Sequence, residues 1–78
     1  MDTIWHLNLH AYDKENSLSC NFKSLELAEA FAKDKLQWPT MILSIDQYRA
    51  NEFGRFVFYG RDYFWRNPDY FPEDYEMH

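Results

Sequence analysis

Histidine, cysteine and serine are the side chains of this chain that could do chemistry, and each reads as something quieter. His6 and His10 are four residues apart. On a helix that spacing would bring two imidazoles to one metal ion. Here the surrounding residues alternate between polar and apolar, which is strand periodicity. On a strand the two rings share a face but stand about 13 Å apart, at roughly 3.3 Å per residue. They cannot hold one ion and read as polar residues of a strand face. Cys20 is the only cysteine, so an internal disulfide is impossible, and no Cys/His cluster has zinc spacing. A nucleophilic cysteine needs exposure and a neighbour that stabilises its thiolate. The sequence places no such neighbour near Cys20, which falls on the apolar side of its strand. Ser17, Ser19 and Ser44 lack the Gly-x-Ser-x-Gly elbow that would present a nucleophile. Gly54 and Gly60 are the only glycines, so a glycine-rich phosphate loop is excluded. The chain is therefore read as a non-enzyme, with no catalytic residue, no metal and no cofactor.

Binding chemistry is better represented. All four arginines (Arg49, Arg55, Arg61 and Arg66) lie in the second half, as do eleven of the sixteen aromatic residues, counted from Tyr48 onward. Either most of these rings are core and the arginines are solvated edges, or arginine stands among exposed rings, which suits either of two partners. A single-stranded nucleic acid would stack its bases on the rings. A protein partner would use Tyr, Trp and Arg as hot-spot anchors. The segment 67–78 carries Asp69, Glu73, Asp74 and Glu76 with no Lys or Arg, and also Tyr70, Phe71 and Tyr75. Carboxylates there would speed encounter with a basic surface. Tyr70, Phe71 and Tyr75 suggest docking, either on this domain's own sheet, with the carboxylates left solvated, or on a partner. On a partner, tyrosines would supply buried area at low entropic cost, and Pro68 and Pro72 would limit the ordering cost. The expected partner-binding residues are Asp69, Tyr70, Glu73, Asp74, Tyr75 and Glu76 from this tail, with Tyr59, Arg61 and Tyr63 from the preceding strand.

Five elements must position these groups. Residues 3–12 and 17–22 both alternate, and Asp13–Asn16 is a polar break, which predicts a hairpin. Trp5, Leu7, Leu9 and Ala11 take one face of the first strand, and Leu18, Cys20 and Phe22 the inward face of the second. Ser24 is the expected N-cap of a helix over about 25–37. Leu25, Leu27, Ala28, Phe31, Ala32 and Leu36 form its apolar side, and Pro39 stops it. A third strand is expected at about 41–49 and a fourth at 55–65. In the fourth, strict alternation puts Phe56 and Phe58 on one face and Val57, Tyr59, Arg61, Tyr63 and Trp65 on the other. Gly60 mid-strand signals a bulge or a close backbone approach; with a bulge the facing would reverse after it, and Tyr63 and Trp65 would join the core side. Asn67-Pro68 ends regular structure.

The result is one α+β domain over 1–78, ββαββ, with one amphipathic helix on a four-stranded, mainly antiparallel sheet and an acidic aromatic tail. A chain of this length buries only about 60% of its unfolded surface. Without disulfide or metal it must rely on aromatic bulk and self-association, so a homodimer is among the expected forms. Thirteen acidic and eight basic residues give a net charge of −5. That charge opposes direct nucleic-acid binding and favours a protein partner with a basic surface. No apolar run approaches membrane-spanning length and no charged-then-apolar leader is seen. With a lone cysteine, this makes the cytoplasm the expected compartment.

In length, charge, aromatic excess, lack of catalytic motifs and the Asp69–Glu76 acidic cluster, the chain resembles the small acidic inhibitors of phages and mobile elements, of the anti-CRISPR or anti-restriction kind. The resemblance implies a protein that binds a nucleic-acid-handling host protein and blocks its groove. It carries no site residues across.

Overall fold

The computed structural model describes residues 2–70. The expected four strands and one helix are present: β1 (Thr3–Ala11), β2 (Leu18–Phe22), α1 (Leu25–Lys33), β3 (Thr40–Ala50) and β4 (Phe56–Arg66). A single 3₁₀ turn, Lys14–Asn16, sits inside the first hairpin. The strands form one antiparallel sheet in the order β2-β1-β3-β4. The two long inner strands, β1 and β3, thus carry hydrogen bonds on both edges, while β2 and β4 are the sheet's edges.

The core follows from the register of that central pair. Leu7 lies opposite Ile45 and Leu9 opposite Leu43, and all four are buried. Ala28 and Ala32, one turn apart on α1, are buried against them. Their small side chains let the helix backbone approach the sheet closely. Larger residues close the margins: Trp5, Cys20, Phe22, Leu25, Phe31, Leu36, Tyr63 and Trp65 pack around this centre. Phe31 stands beside Phe22 with ring centroids 5.6 Å apart.

α1 begins as expected, with the Ser24 hydroxyl accepting from Leu27 N–H at 3.1 Å. It ends earlier, at Lys33 rather than residue 37. Lys35 N–H donates to Ala32 C=O and Thr40 N–H to Gln37 C=O, each at 2.8 Å, so tight turns replace the last helical turn. They bring Pro39 C=O to Tyr12 N–H at 2.9 Å, which ties the chain back to the end of β1. The Trp38–Pro39 peptide is cis. The apolar face is also narrower than expected, because Leu27 is 59% exposed. At about 100° per residue, Leu27 sits roughly 120° from the line through Ala28 and Ala32, too far round to reach the sheet.

Short polar side chains close the remaining turns. Ser17 Oγ accepts from Ala11 N–H at 2.9 Å and donates to Asp13 C=O at 3.2 Å. In the β3–β4 turn, Asn51 Oδ1 accepts from the amides of Phe53 and Arg55. Gly54 there takes φ +81°, a left-handed conformation that costs glycine little. Asn67 is buried, donates from Nδ2 to Thr40 C=O at 2.9 Å, and accepts at Oδ1 from Asp69 N–H at 2.9 Å.

Two substitutions check this architecture by thermal or denaturant unfolding. Phe31 is only half-buried, so Phe31→Ala should cost about 2 kcal/mol, less than the loss for a fully enclosed ring. Asn67→Ala strands a buried carbonyl and an amide and should cost about 1–3 kcal/mol. A melting temperature that either change leaves untouched would show that its contact does not stabilise the fold.

Candidate functional site

One face of the sheet is left without a helix among the described residues. Residues that alternate with the core project from it, and the register sets them in rows across the strands. Asn21, His6, Asp46 and Arg61 form one row; Ser19, Asn8, Ser44 and Phe64 the next; Ile4, Tyr48 and Phe58 a third. His6 Nδ1–H donates to Asn21 Oδ1 at 2.7 Å. Its ring meets Tyr48 edge-on at 6.1 Å, and Tyr48 meets Phe58 edge-on at 5.8 Å. Arg61 donates from Nε to Asp46 Oδ1 at 2.8 Å and lies 5.4 Å above the Phe64 ring. That bond and the Asp46 charge hold the Arg61 guanidinium above its ordinary pKa, so it stays a cation at every usable pH. The surface is a ring-lined sheet with an ion pair at its centre, and it has the chemistry of a binding face.

β4 does not alternate strictly, and this redistributes the expected site residues. Asp46 pairs with Arg61 and Ile45 with Tyr63, which leaves Asp62 as an extra residue; Gln47 pairs with Gly60 and Tyr48 with Phe58, which leaves Tyr59 as a second. Two bulges therefore flank Gly60 and Arg61. The first reverses the facing, so Arg61 joins Phe56 and Phe58 on the open face and does not share a face with Val57 and Tyr59. The second reverses it again. Tyr63 and Trp65 therefore stay on Val57's side and pack against the core there; the single reversal expected at Gly60 would have moved them to the face of Phe56 and Phe58. Of the three β4 residues expected to bind a partner, Arg61 lies on the open face, Tyr59 is exposed on the helix side, and Tyr63 is half-buried in the margin of the core.

The Asp62 bulge has its own partners. Its Oδ2 accepts from Trp5 Nε1 at 2.8 Å and from Gln47 Nε2 at 2.9 Å. Gln47 Oε1 accepts from Arg49 Nε at 2.8 Å, and the Arg49 guanidinium stacks 3.4 Å from the Tyr59 ring centre. This chain of side chains lies on the helix side of the sheet, beyond the reach of α1. The sequence carried no signal for it, because its members are spread over three strands and come together only through the bulge.

Tyr70 turns back onto its own domain. It meets Trp38 edge-on at 5.4 Å and Tyr12 at 6.1 Å. Asp69 is exposed beside it. Glu73, Asp74, Tyr75 and Glu76, the rest of the expected acidic site, lie outside the described residues.

Reactive groups are not gathered anywhere among the described residues. No group of three His, Cys, Asp or Glu side chains there could hold a metal ion. Ser17 is engaged in closing a hairpin and Ser44 is buried. No helix among the described residues is long and apolar enough to cross a membrane. No family model matches the chain, and no curated protein or solved structure matches it either.

Burial pushes the Cys20 thiol above its ordinary pKa, so less reactive thiolate is present near neutrality. Native protein should react with iodoacetamide several-fold more slowly than the denatured chain at the same pH. Equal rates would show that Cys20 is open to solvent.

Proposed function

We propose that this chain is a protein-binding module, a small inhibitor or adaptor, that docks through the helix-free face and the β3–β4 hairpin. One observation carries the reading. Phe53 is 81% exposed at the hairpin tip, and Phe58, Phe64 and Phe56 are 57%, 48% and 44% exposed on the same hairpin's open side. A monomer gains nothing by presenting four phenylalanines to water, and large contiguous apolar patches mark interaction sites. Rings beside a fixed arginine are also the usual anchors of protein interfaces. The acidic residues Asp69, Glu73, Asp74 and Glu76 suit a partner with a basic surface, whose approach they would accelerate. A nucleic-acid-handling protein has such a surface, and blocking it would make the chain an anti-defence inhibitor of the kind it resembles.

A second reading has one observation in its favour. The open face of β3 and β4 sets Arg61 beside Phe64, with Tyr48 and Phe58 in the neighbouring row, and stacked rings on a sheet suit unpaired bases. Against it, the Asp46 carboxylate already engages Arg61, and the whole chain is acidic.

Immobilised protein in a nuclease-treated bacterial lysate should retain a protein partner. Phe53→Asp, at an exposed turn, should weaken that capture about tenfold or more while the melting temperature stays unchanged. Reversing Glu73, Asp74 and Glu76 to Lys should slow association, most strongly at low salt. Labelled single-stranded RNA or DNA should show no binding at physiological salt. Tight oligonucleotide binding, or capture indifferent to Phe53→Asp, would displace the protein-interface reading.

A further inference from the structure

We infer that β4 pairs with β4 of a second copy of this chain, antiparallel about a two-fold axis at Arg61, joining two four-stranded sheets into one of eight strands. β4 is the longer of the two edges, with eleven residues against five in β2. An exposed edge of that length, bearing apolar side chains, is a template for strand pairing unless charges or bulges blunt it or something covers it. The sequence of faces along β4 says what covers it. Arg61 points to the open face. On either side of it comes a pair of residues on the helix side, Tyr59–Gly60 and Asp62–Tyr63, because a bulge interrupts the strand once before it and once after. Beyond them the open face returns at Phe58 and Phe64, the helix side at Val57 and Trp65, and the open face at Phe56 and Arg66. The pattern reads the same in both directions from Arg61.

A strand whose facing is symmetric about one residue is complementary to its own antiparallel copy, which is what an isologous contact requires. A foreign strand would need no such symmetry. The side chains that meet are also matched. Phe58 of each copy lies across from Phe64 of the other, and aromatic cross-strand pairs stabilise sheets. Tyr59 lies across from Tyr63, and Val57 from Trp65. The two Arg61 side chains approach at the axis, each already bonded to its own Asp46 at 2.8 Å, so two neutralised pairs meet there. Phe56, Val57, Phe58, Tyr59 and Phe64 are between 44% and 58% exposed. At about 200 Å² per ring the four rings leave at most roughly 400 Å² per copy, to which Val57 and the strand backbone add. This is below the ~800 Å² per partner of a standard interface and suits a weak, reversible dimer. The pairing takes up Phe56, Phe58 and Phe64, which the partner reading above also uses, and leaves Phe53 at the hairpin tip uncovered; Phe53→Asp therefore tests the partner reading, and the β4 substitutions below test the pairing.

Sedimentation equilibrium of the full chain should show a monomer–dimer equilibrium in the micromolar range. Phe58→Lys and Phe64→Glu, both at exposed positions, should each weaken self-association about tenfold or more. An equimolar mixture of the two variants should recover it. In the mixed dimer the introduced lysine of one copy faces the introduced glutamate of the other, while the remaining Phe64 and Phe58 still meet. Circular dichroism checks that each variant folds. In the unaltered chain, amides of residues 57–65 should gain exchange protection as concentration rises, while those of β2 should not. Three results would overturn the inference: a chain that stays monomeric into the millimolar range, a dimer indifferent to both substitutions, or a mixture no tighter than its components. Concentration-dependent protection on β2 would assign the contact to the other edge and overturn it equally.

Discussion

A nine-residue helix must cover a sheet whose longest strands have eleven residues. At about 1.5 Å per residue the helix is roughly 14 Å long, whereas an eleven-residue strand runs about 36 Å. The fully buried core exists only where α1 lies, around Leu7, Leu9, Leu43 and Ile45 beneath Ala28 and Ala32. The alanines make the most of that short overlap, since a larger residue at either position would lift the helix off the sheet. The overall dimensions, 43 × 27 × 22 Å, belong to a sheet that outruns its helix at the β3–β4 end.

Past the end of the helix the same face is finished by polar and stacked groups. Gln47 and Arg49 stand there on successive helix-side positions of β3, with Trp5 opposite Gln47 at the margin of the core. The extra residue at Asp62 brings a carboxylate to Trp5 and Gln47, and Gln47 in turn holds Arg49 over Tyr59. The bulges therefore have a local effect and a wider one. They replace missing apolar cover with a hydrogen-bonded network, and they return Tyr63 and Trp65 to the core while leaving Arg61 on the open face.

Much of the fold was legible because period two is hard to mistake in β1 and β2, and because Ser24 and Pro39 bracket the only helical pattern. Gly60 correctly announced a departure from alternation, since a glycine within a strand has few other uses. That there are two bulges was not legible. Neither Tyr59 nor Asp62 is a residue type that marks one, and their positions depend on which β3 residues they face. Leu27 misled for a related reason. A leucine within a broad apolar arc looks like core, but its burial depends on how wide the covering sheet is at that turn. The open face was the least legible feature. Alternation shows that Tyr48 and His6 share a side with neither Leu7 nor Ile45, but their contact across strands needs the β1–β3 register, which no local signal sets. Within the acidic tail, the aromatic residues announced docking, and Tyr70 docks on its own domain; that it meets Tyr12 and Trp38, far away in sequence, its own neighbours could not announce.

Charge distribution narrows what the proposed binding face would accept. Of the net −5, three charges belong to Glu73, Asp74 and Glu76, so residues 2–70 carry only −2. The excess of negative charge is thus concentrated toward one end of the sequence. A small charge on the domain alone would not repel phosphates strongly at a screening length of about 8 Å. The stronger objection to nucleic acid is local. Phosphate binding draws its free energy from cations that release counterions, and Arg61 already has Asp46 as its counterion, while Arg49 is engaged with Gln47 and Tyr59. Recruiting either would first break an internal contact. A protein surface makes no such demand, because it can pack on Phe53, Phe56 and Phe58 and leave both arginines where they are.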